Sequence, residues 1–131
     1  MKLTELQKAP DFILPDKDNI LHSLSSIKSD YIVIYFYPKD DTPGCTIEAI
    51  EFSFLKKEFE KINTTIIGIS GGNEKTKKTF CKKHDLIITL LSDSNFEVSK
   101  KYDVYKEKSF MGKKYLGIVR TTFILDKNKK L

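Results

Sequence analysis

The chain has 131 residues, 40% of them hydrophobic and 31% charged, with a formal net charge of +5. That is the size and composition of one globular domain, residues 1–131, with a single core; it excludes a disordered or collagen-like chain. No apolar run approaches the roughly 18–20 residues of a membrane helix, so no membrane span is expected.

The opening MKLTELQKAP has no apolar stretch and no small-residue cleavage site, so a secretory leader is not expected. Two cysteines, Cys45 and Cys81, are too few for a disulfide scaffold and suit free thiols in a reducing, cytoplasmic compartment. Of the 23 basic residues only Arg120 is an arginine. Nucleic-acid sites favour the bidentate arginine fork, so the scattered lysines read as solvated surface and no nucleic-acid partner is expected.

In chain order, residues 12–14 and 20–21 read as short strands around a turn at 15–19. Residues 31–37, YIVIYFY, form an unbroken apolar run of the kind a central strand buried on both faces requires. A helix is predicted over 43–62, with Ile47, Ile50, Phe54, Phe59 and Ile62 marking its apolar face. A buried strand follows at 64–70, a helix at 73–84 after Gly71-Gly72, and a strand at 87–91. A short helix at 94–102 and a strand at 121–125 complete the series. Strands alternating with helices imply a parallel or mixed sheet with helices on its faces. Ligands of such sheets bind beyond the carboxyl ends of the strands, which directs attention to the segment after YIVIYFY.

That segment is YPKDDTPGCT, residues 37–46. Thr42 suits an N-cap, its hydroxyl accepting from a free backbone N–H. Pro43 suits the first helical position, where its missing N–H costs nothing. Cys45 then falls third in the helix, facing unpaired N–H groups and the positive end of the dipole, where a thiolate is stabilised. Position alone leaves a second reading open, a buried and inert cysteine near a helix start.

YPKDDTPGCT resembles the active-site segment of the peroxiredoxins, and more narrowly of their bacterioferritin comigratory protein, or peroxiredoxin Q, subfamily. The pattern Pro-x-x-x-Thr-x-x-Cys is met by Pro38, Thr42 and Cys45. RTTFILD at 120–126 resembles the family's arginine-bearing strand, and IIGIS at 66–70 and LLSD at 90–93 also fit. The likeness runs from about residue 9 to residue 131. It implies an α/β, thioredoxin-like fold, a mixed central sheet flanked by helices. The family's usual C-terminal helix is not expected here, because the sequence stops at Leu131.

The resemblance further implies a thiol-dependent peroxidase acting on hydrogen peroxide and organic hydroperoxides. Cys45 would be the nucleophile, with Thr42 hydrogen-bonding the peroxide and thiolate, Arg120 supplying fixed positive charge and Pro38 limiting solvent. The N–H groups of Gly44 and Cys45 are further donors; Pro43 has none to give. Arg120 also admits a plainer reading as a surface charge on an edge strand. Glu48 either orients the arginine or complements the helix N-terminus.

The subfamily's resolving cysteine lies either five residues after the nucleophile, where this chain has Ile50, or in the later helix, where Cys81 stands. Lys77, Lys78, His84 and Asp85 surround Cys81 at helical spacing, so a polar face is expected, away from Phe80. An adventitious thiol is the other reading. The resemblance implies a Cys45–Cys81 disulfide within one chain, formed after local unwinding and reduced by thioredoxin or a similar dithiol protein. It also implies a monomer. His22 and His84 match no zinc spacing with the cysteines, so no metal is expected. Neither a P-loop nor Gly-x-Gly-x-x-Gly occurs, so no cofactor is expected. Two rivals remain: a one-cysteine peroxidase using an external thiol, and an inactive binding module on the same fold.

Overall fold

A computed structural model describes residues 7–131. The reading of the first ten residues as free of a leader falls mostly on residues 1–6, outside the described residues. Among the described residues no helix is long and apolar enough to cross a membrane.

Strands β1 (Ile13–Pro15) and β2 (Leu21–Ser23) pair antiparallel around the expected turn, one residue later than the sequence suggests. The central sheet contains β3 (Tyr31–Phe36), β4 (Thr64–Ser70), β5 (Thr89–Ser92) and, last in the chain, β8 (Thr121–Leu125). Its order is β5-β4-β3-β8. The first three strands run parallel, and β8 lies antiparallel on β3, making the sheet mixed as expected. The helices are α1 (Pro43–Lys61), α2 (Glu74–His84) and the short α3 (Glu97–Lys101).

The continuous apolar runs of β3 and β4 follow from burial on both faces. Ile32, Ile34 and Phe36 point into one core with Ile67, Ile69, Leu91, Tyr102 and Leu125. Val33, Tyr35 and Tyr37 point into the other with Ile66, Phe80, Leu90 and both cysteines.

The helix α1 has the expected span but docks by a different face. Its buried residues are Cys45, Ala49 and Ser53, four apart, with Phe52 and Phe59 partly buried beside them. Ile47, Ile50, Phe54 and Ile62 face outward, Phe54 with 85% of its surface exposed. Short side chains at the contact let the helix lie close on the sheet, which the bulky residues would prevent. The sheet is also trimmed: a Cβ on Gly68 would come within 2.7 Å of both Leu90 and Tyr35. Ser53 Oγ accepts from the Ile87 N–H at 3.1 Å, and Lys56 Nζ donates to the Ile87 carbonyl at 3.0 Å. With both backbone groups of Ile87 taken by α1, strand pairing starts only at Thr89.

Helix α2 opens with a capping box. Asn73 Oδ1 accepts from Thr76 N–H at 3.0 Å, and Thr76 Oγ1 accepts from Asn73 N–H at 3.1 Å. Between α3 and β8 stands a hairpin the sequence reading omits, β6 (Tyr105–Phe110) and β7 (Lys113–Ile118). Its strands are mostly exposed and polar, so no apolar pattern announces them. The two-residue turn, Met111 and Gly112, has φ of 51° and 81°, as a type I′ turn requires. Its base is held by Val119 N–H donating to the Val104 carbonyl at 2.7 Å.

Ala49 is 1% exposed, so Ala49→Leu is expected to destabilise by about 1–3 kcal/mol through overpacking. Phe54→Ala should change stability by only about 0.5 kcal/mol or less, as exposed substitutions do. Urea denaturation of both variants checks which face of α1 holds the sheet; the reverse ranking would overturn this docking.

Candidate active site

The loop between β3 and α1 begins with Tyr37, whose N–H still donates to the Ile69 carbonyl at 3.0 Å. Pro38 is half-buried and lines a cavity with Asp40, Gly71, Thr76 and Phe96 on the α2 side of the loop. Asp41 takes a left-handed φ of 57°, which turns the chain into the helix.

Thr42 stands at the N-cap position with extended backbone, but its side chain does not cap. Its hydroxyl donates instead to the Lys39 carbonyl at 2.9 Å. The expected capping bond is thus replaced by one that closes the loop upon itself. The first intrahelical bond runs from Thr46 N–H to the Thr42 carbonyl at 2.8 Å. The N–H groups of Gly44 and Cys45 precede it and have no carbonyl partner within the helix.

Cys45 sits third in α1 and is 1% exposed. Arg120, just ahead of β8, lies over this helix start: Nη2 donates to Cys45 Sγ at 3.2 Å, and Nη1 donates to Glu48 Oε1 at 2.5 Å. The guanidinium is 39% exposed beside the edge strand β8, and it bridges the sulfur and the carboxylate there. Glu48 is thus ion-paired with Arg120 at the first turns of α1. Burial pushes the Glu48 carboxyl up, and Arg120 opposes that shift. Partial burial lowers the arginine, but the charges and bonds of Cys45 and Glu48 outweigh it and hold the guanidinium firmly protonated.

Gly44, which sequence reasoning treats only as a backbone donor, has a steric role as well. A Cβ there would meet Arg120 Nη2 at 3.2 Å, tighter than an ordinary contact. Its absence lets the guanidinium reach the sulfur. Beside this pair Ile47, Phe52 and Leu55 line an open groove along α1.

Cys81 does not lie on a polar face. It is 5% exposed and packs in the same core cluster as Cys45, Tyr35, Tyr37 and Phe80. The polar neighbour behind the expectation, Lys77, is itself fully buried. Helical spacing identified the neighbours but not the burial of one of them. Burial pushes the Cys81 thiol up from its ordinary range. Both thiols are free. His22 and His84 each bond an aspartate, Asp16 and Asp41 respectively, at 2.8 Å.

Residues 6–131 match the family described as AhpC/TSA. The chain belongs to the AhpC/TSA family. Peroxiredoxin Bcp of Bacillus subtilis is 42% identical over 125 residues, covering 95% of this chain and 80% of that protein. Peroxiredoxin Bcp of Escherichia coli K12 is 39% identical over 123 residues, covering 94% of this chain and 79% of that protein. Among solved structures, the Xanthomonas campestris bacterioferritin comigratory protein, described for its alkyl peroxide reduction activity, superposes with a TM-score of 0.84. It shares 36% identity and covers 91% of this chain and 76% of its own. BcpB of Mycobacterium tuberculosis gives a TM-score of 0.84 at 34% identity, covering 96% of this chain and 80% of its own. The fold is therefore the thioredoxin-like fold of AhpC/TSA members, as the sequence implies.

Two further residues, Asp40 and Lys77, join the loop before α1 to helix α2. Asp40, beside Pro38, accepts from the Tyr37 hydroxyl at 2.5 Å and from Lys77 Nζ at 3.1 Å. Asp40 is traceable as a carboxylate in the strand-end loop, whereas nothing distinguishes Lys77 from the other lysines of the chain.

Because a raised thiol pKa means less thiolate at a given pH, Cys81 of the reduced protein should react slowly with iodoacetamide at neutral pH. Its alkylation should accelerate as pH rises beyond the ordinary thiol range. Peptide mass mapping over a pH series checks this; rapid labelling of Cys81 at pH 7 would contradict its burial.

Proposed function

We propose that this chain is a thiol-dependent peroxidase that reduces hydrogen peroxide and organic hydroperoxides, with Cys45 as the nucleophile. The observation that carries the reading is the Arg120 guanidinium spanning Cys45 Sγ and Glu48. A fixed cation at the sulfur stabilises the thiolate, and a preorganised donor stabilises charge that develops as the O–O bond stretches. The alkyl peroxide activity described for the Xanthomonas campestris relative supports the same substrate class.

The thiolate attacks one peroxide oxygen and the O–O bond breaks. Sulfur is oxidised to sulfenic acid, and the departing alkoxide or hydroxide takes up a proton. Thr42 hydrogen-bonds the peroxide, Pro38 shields the loop from solvent, and the free N–H groups of Gly44 and Cys45 add donors. Cys81 then attacks the Cys45 sulfur, forming the disulfide and releasing water. Thioredoxin or a similar dithiol protein reduces the bond and is itself oxidised. The shared core cluster of the two sulfurs supports this pairing. The enzyme works as a monomeric antioxidant in the cytoplasm; its two free thiols suit that reducing compartment.

The burial of Cys81 favours a second reading, in which an external thiol resolves the sulfenic acid. Intact mass and free-thiol counts after one equivalent of hydrogen peroxide separate the two. Loss of two hydrogens and of both thiols is expected; one added oxygen on Cys45 with Cys81 free supports the second reading. No reaction within seconds overturns both. Arg120→Lys keeps the charge but loses the fork, and should slow peroxide reduction by about 10²–10³-fold. Quenched-flow measurement at near wild-type rate would remove Arg120 from the mechanism.

A further inference from the structure

Asp40 and Asp41 stand side by side in the loop between β3 and α1, and both bond α2. At the start of α2, Asp40 Oδ2 accepts from Thr76 Oγ1 at 2.9 Å and from Lys77 Nζ at 3.1 Å. At its end, Asp41 accepts from Lys83 Nζ at 2.9 Å and pairs with His84 at 2.8 Å. Cys81 lies between these two attachments.

The first attachment is the buried one. Side-chain exposure is 0% for Lys77 and 7% for Asp40. The ammonium places its three protons on Asp40, on Ser70 Oγ at 2.7 Å and on the Gly71 carbonyl at 2.8 Å. The Tyr37 hydroxyl completes the carboxylate. Removing one member of such a pair leaves a desolvated charge without its partner, which is far costlier than losing an exposed pair. If α2 opened alone, Asp40 would lose its cation. If the loop opened alone, Lys77 would lose its anion inside the core. Each segment is therefore held shut by the other.

We infer that Asp40 and Lys77 are positioning residues that make the Cys45 loop and the Cys81 helix open as one unit. The inference rests on the proposed Cys45–Cys81 disulfide for its purpose. A disulfide needs Cα atoms within about 4.4–6.8 Å, and in the proposed cycle local unwinding brings the two cysteines, which lie in separate helices, within that reach. Joint opening delivers both sulfurs in one step, so the sulfenic acid is not exposed while its partner is still folded away.

Native-state hydrogen exchange on the reduced protein tests the coupling. In the wild type, the hydrogen-bonded amides of residues 46–50 and 76–84 should open with matched equilibrium constants, within about twofold. In Lys77→Met, and in the double variant Asp40→Asn/Lys77→Met, which strands neither charge, the two segments should diverge by about tenfold or more. Excess peroxide should then raise sulfinic acid on Cys45 by about threefold or more, because the loop opens without the helix. A purely structural pair would lower overall stability and leave the ratio of the two opening constants unchanged. Segments that differ by tenfold in the wild type, or stay matched in the variants, overturn the inference. Matched opening in a wild type that forms no Cys45–Cys81 disulfide leaves the coupling standing and sinks the proposed resolving step instead.

Discussion

The close seating of α1 on the sheet is the constraint on which the site depends. Cys45, Ala49 and Ser53 are small enough to bring the helix down onto β3 and β4, where Gly68 leaves room for the side chains of Tyr35 and Leu90. That seating points the sulfur of Cys45 inward, yet leaves it at the helix N-terminus, where the backbone is electropositive. A buried thiol in mid-helix would have no such environment, and one on the outer face of α1 would have no wall of side chains. Because β8 lies antiparallel on the far side of β3, its start falls at the same end of the sheet as the start of α1. Arg120 is thereby delivered to the sulfur from 75 residues further along the chain.

The charged groups of this molecule divide by environment. Most of the lysines lie in water, where their ion pairs contribute little. Arg120 and Lys77 are different, since each faces fixed partners in a partly or wholly desolvated place. Arg120 has the strong planar fork that suits a sulfur and a carboxylate at once. Lys77 is a point charge with three tetrahedral protons, and its pocket supplies three acceptors. Burial pulls its pKa down, while Asp40 opposes that shift and favours the charged form.

Most of the sheet was legible in the sequence because strands buried on both faces leave unbroken apolar runs, and residues 31–37 and 64–70 are such runs. The segment around Cys45 was legible through its resemblance to a known family, since a cysteine at a helix start is by itself also compatible with a buried, inert thiol. The docking face of α1 was not, because bulky apolar residues are the sequence sign of burial and this interface excludes bulk. Lys77 defeated the reading of α2 for a related reason: a lysine in a lysine-rich helix is read as solvated, and only tertiary structure reveals the aspartate opposite it. The capping bond of Thr42 was a local expectation overridden by a local competitor, the Lys39 carbonyl. The hairpin of β6 and β7 left no trace because, apart from Tyr105 and Ile118 at its base, its side chains are mostly exposed.

That hairpin stands directly before the residue that contacts the sulfur. Its base is fixed by the bond between Val119 and Val104, and Arg120 follows at once. Its tip, with Met111 88% exposed, touches none of this. Mechanical tolerance and chemical precision therefore sit on the same short stretch of chain, separated by one backbone bond. The ribbon can be lengthened, or carry a fluorescent label or an affinity tag at its turn, while the guanidinium stays anchored below it.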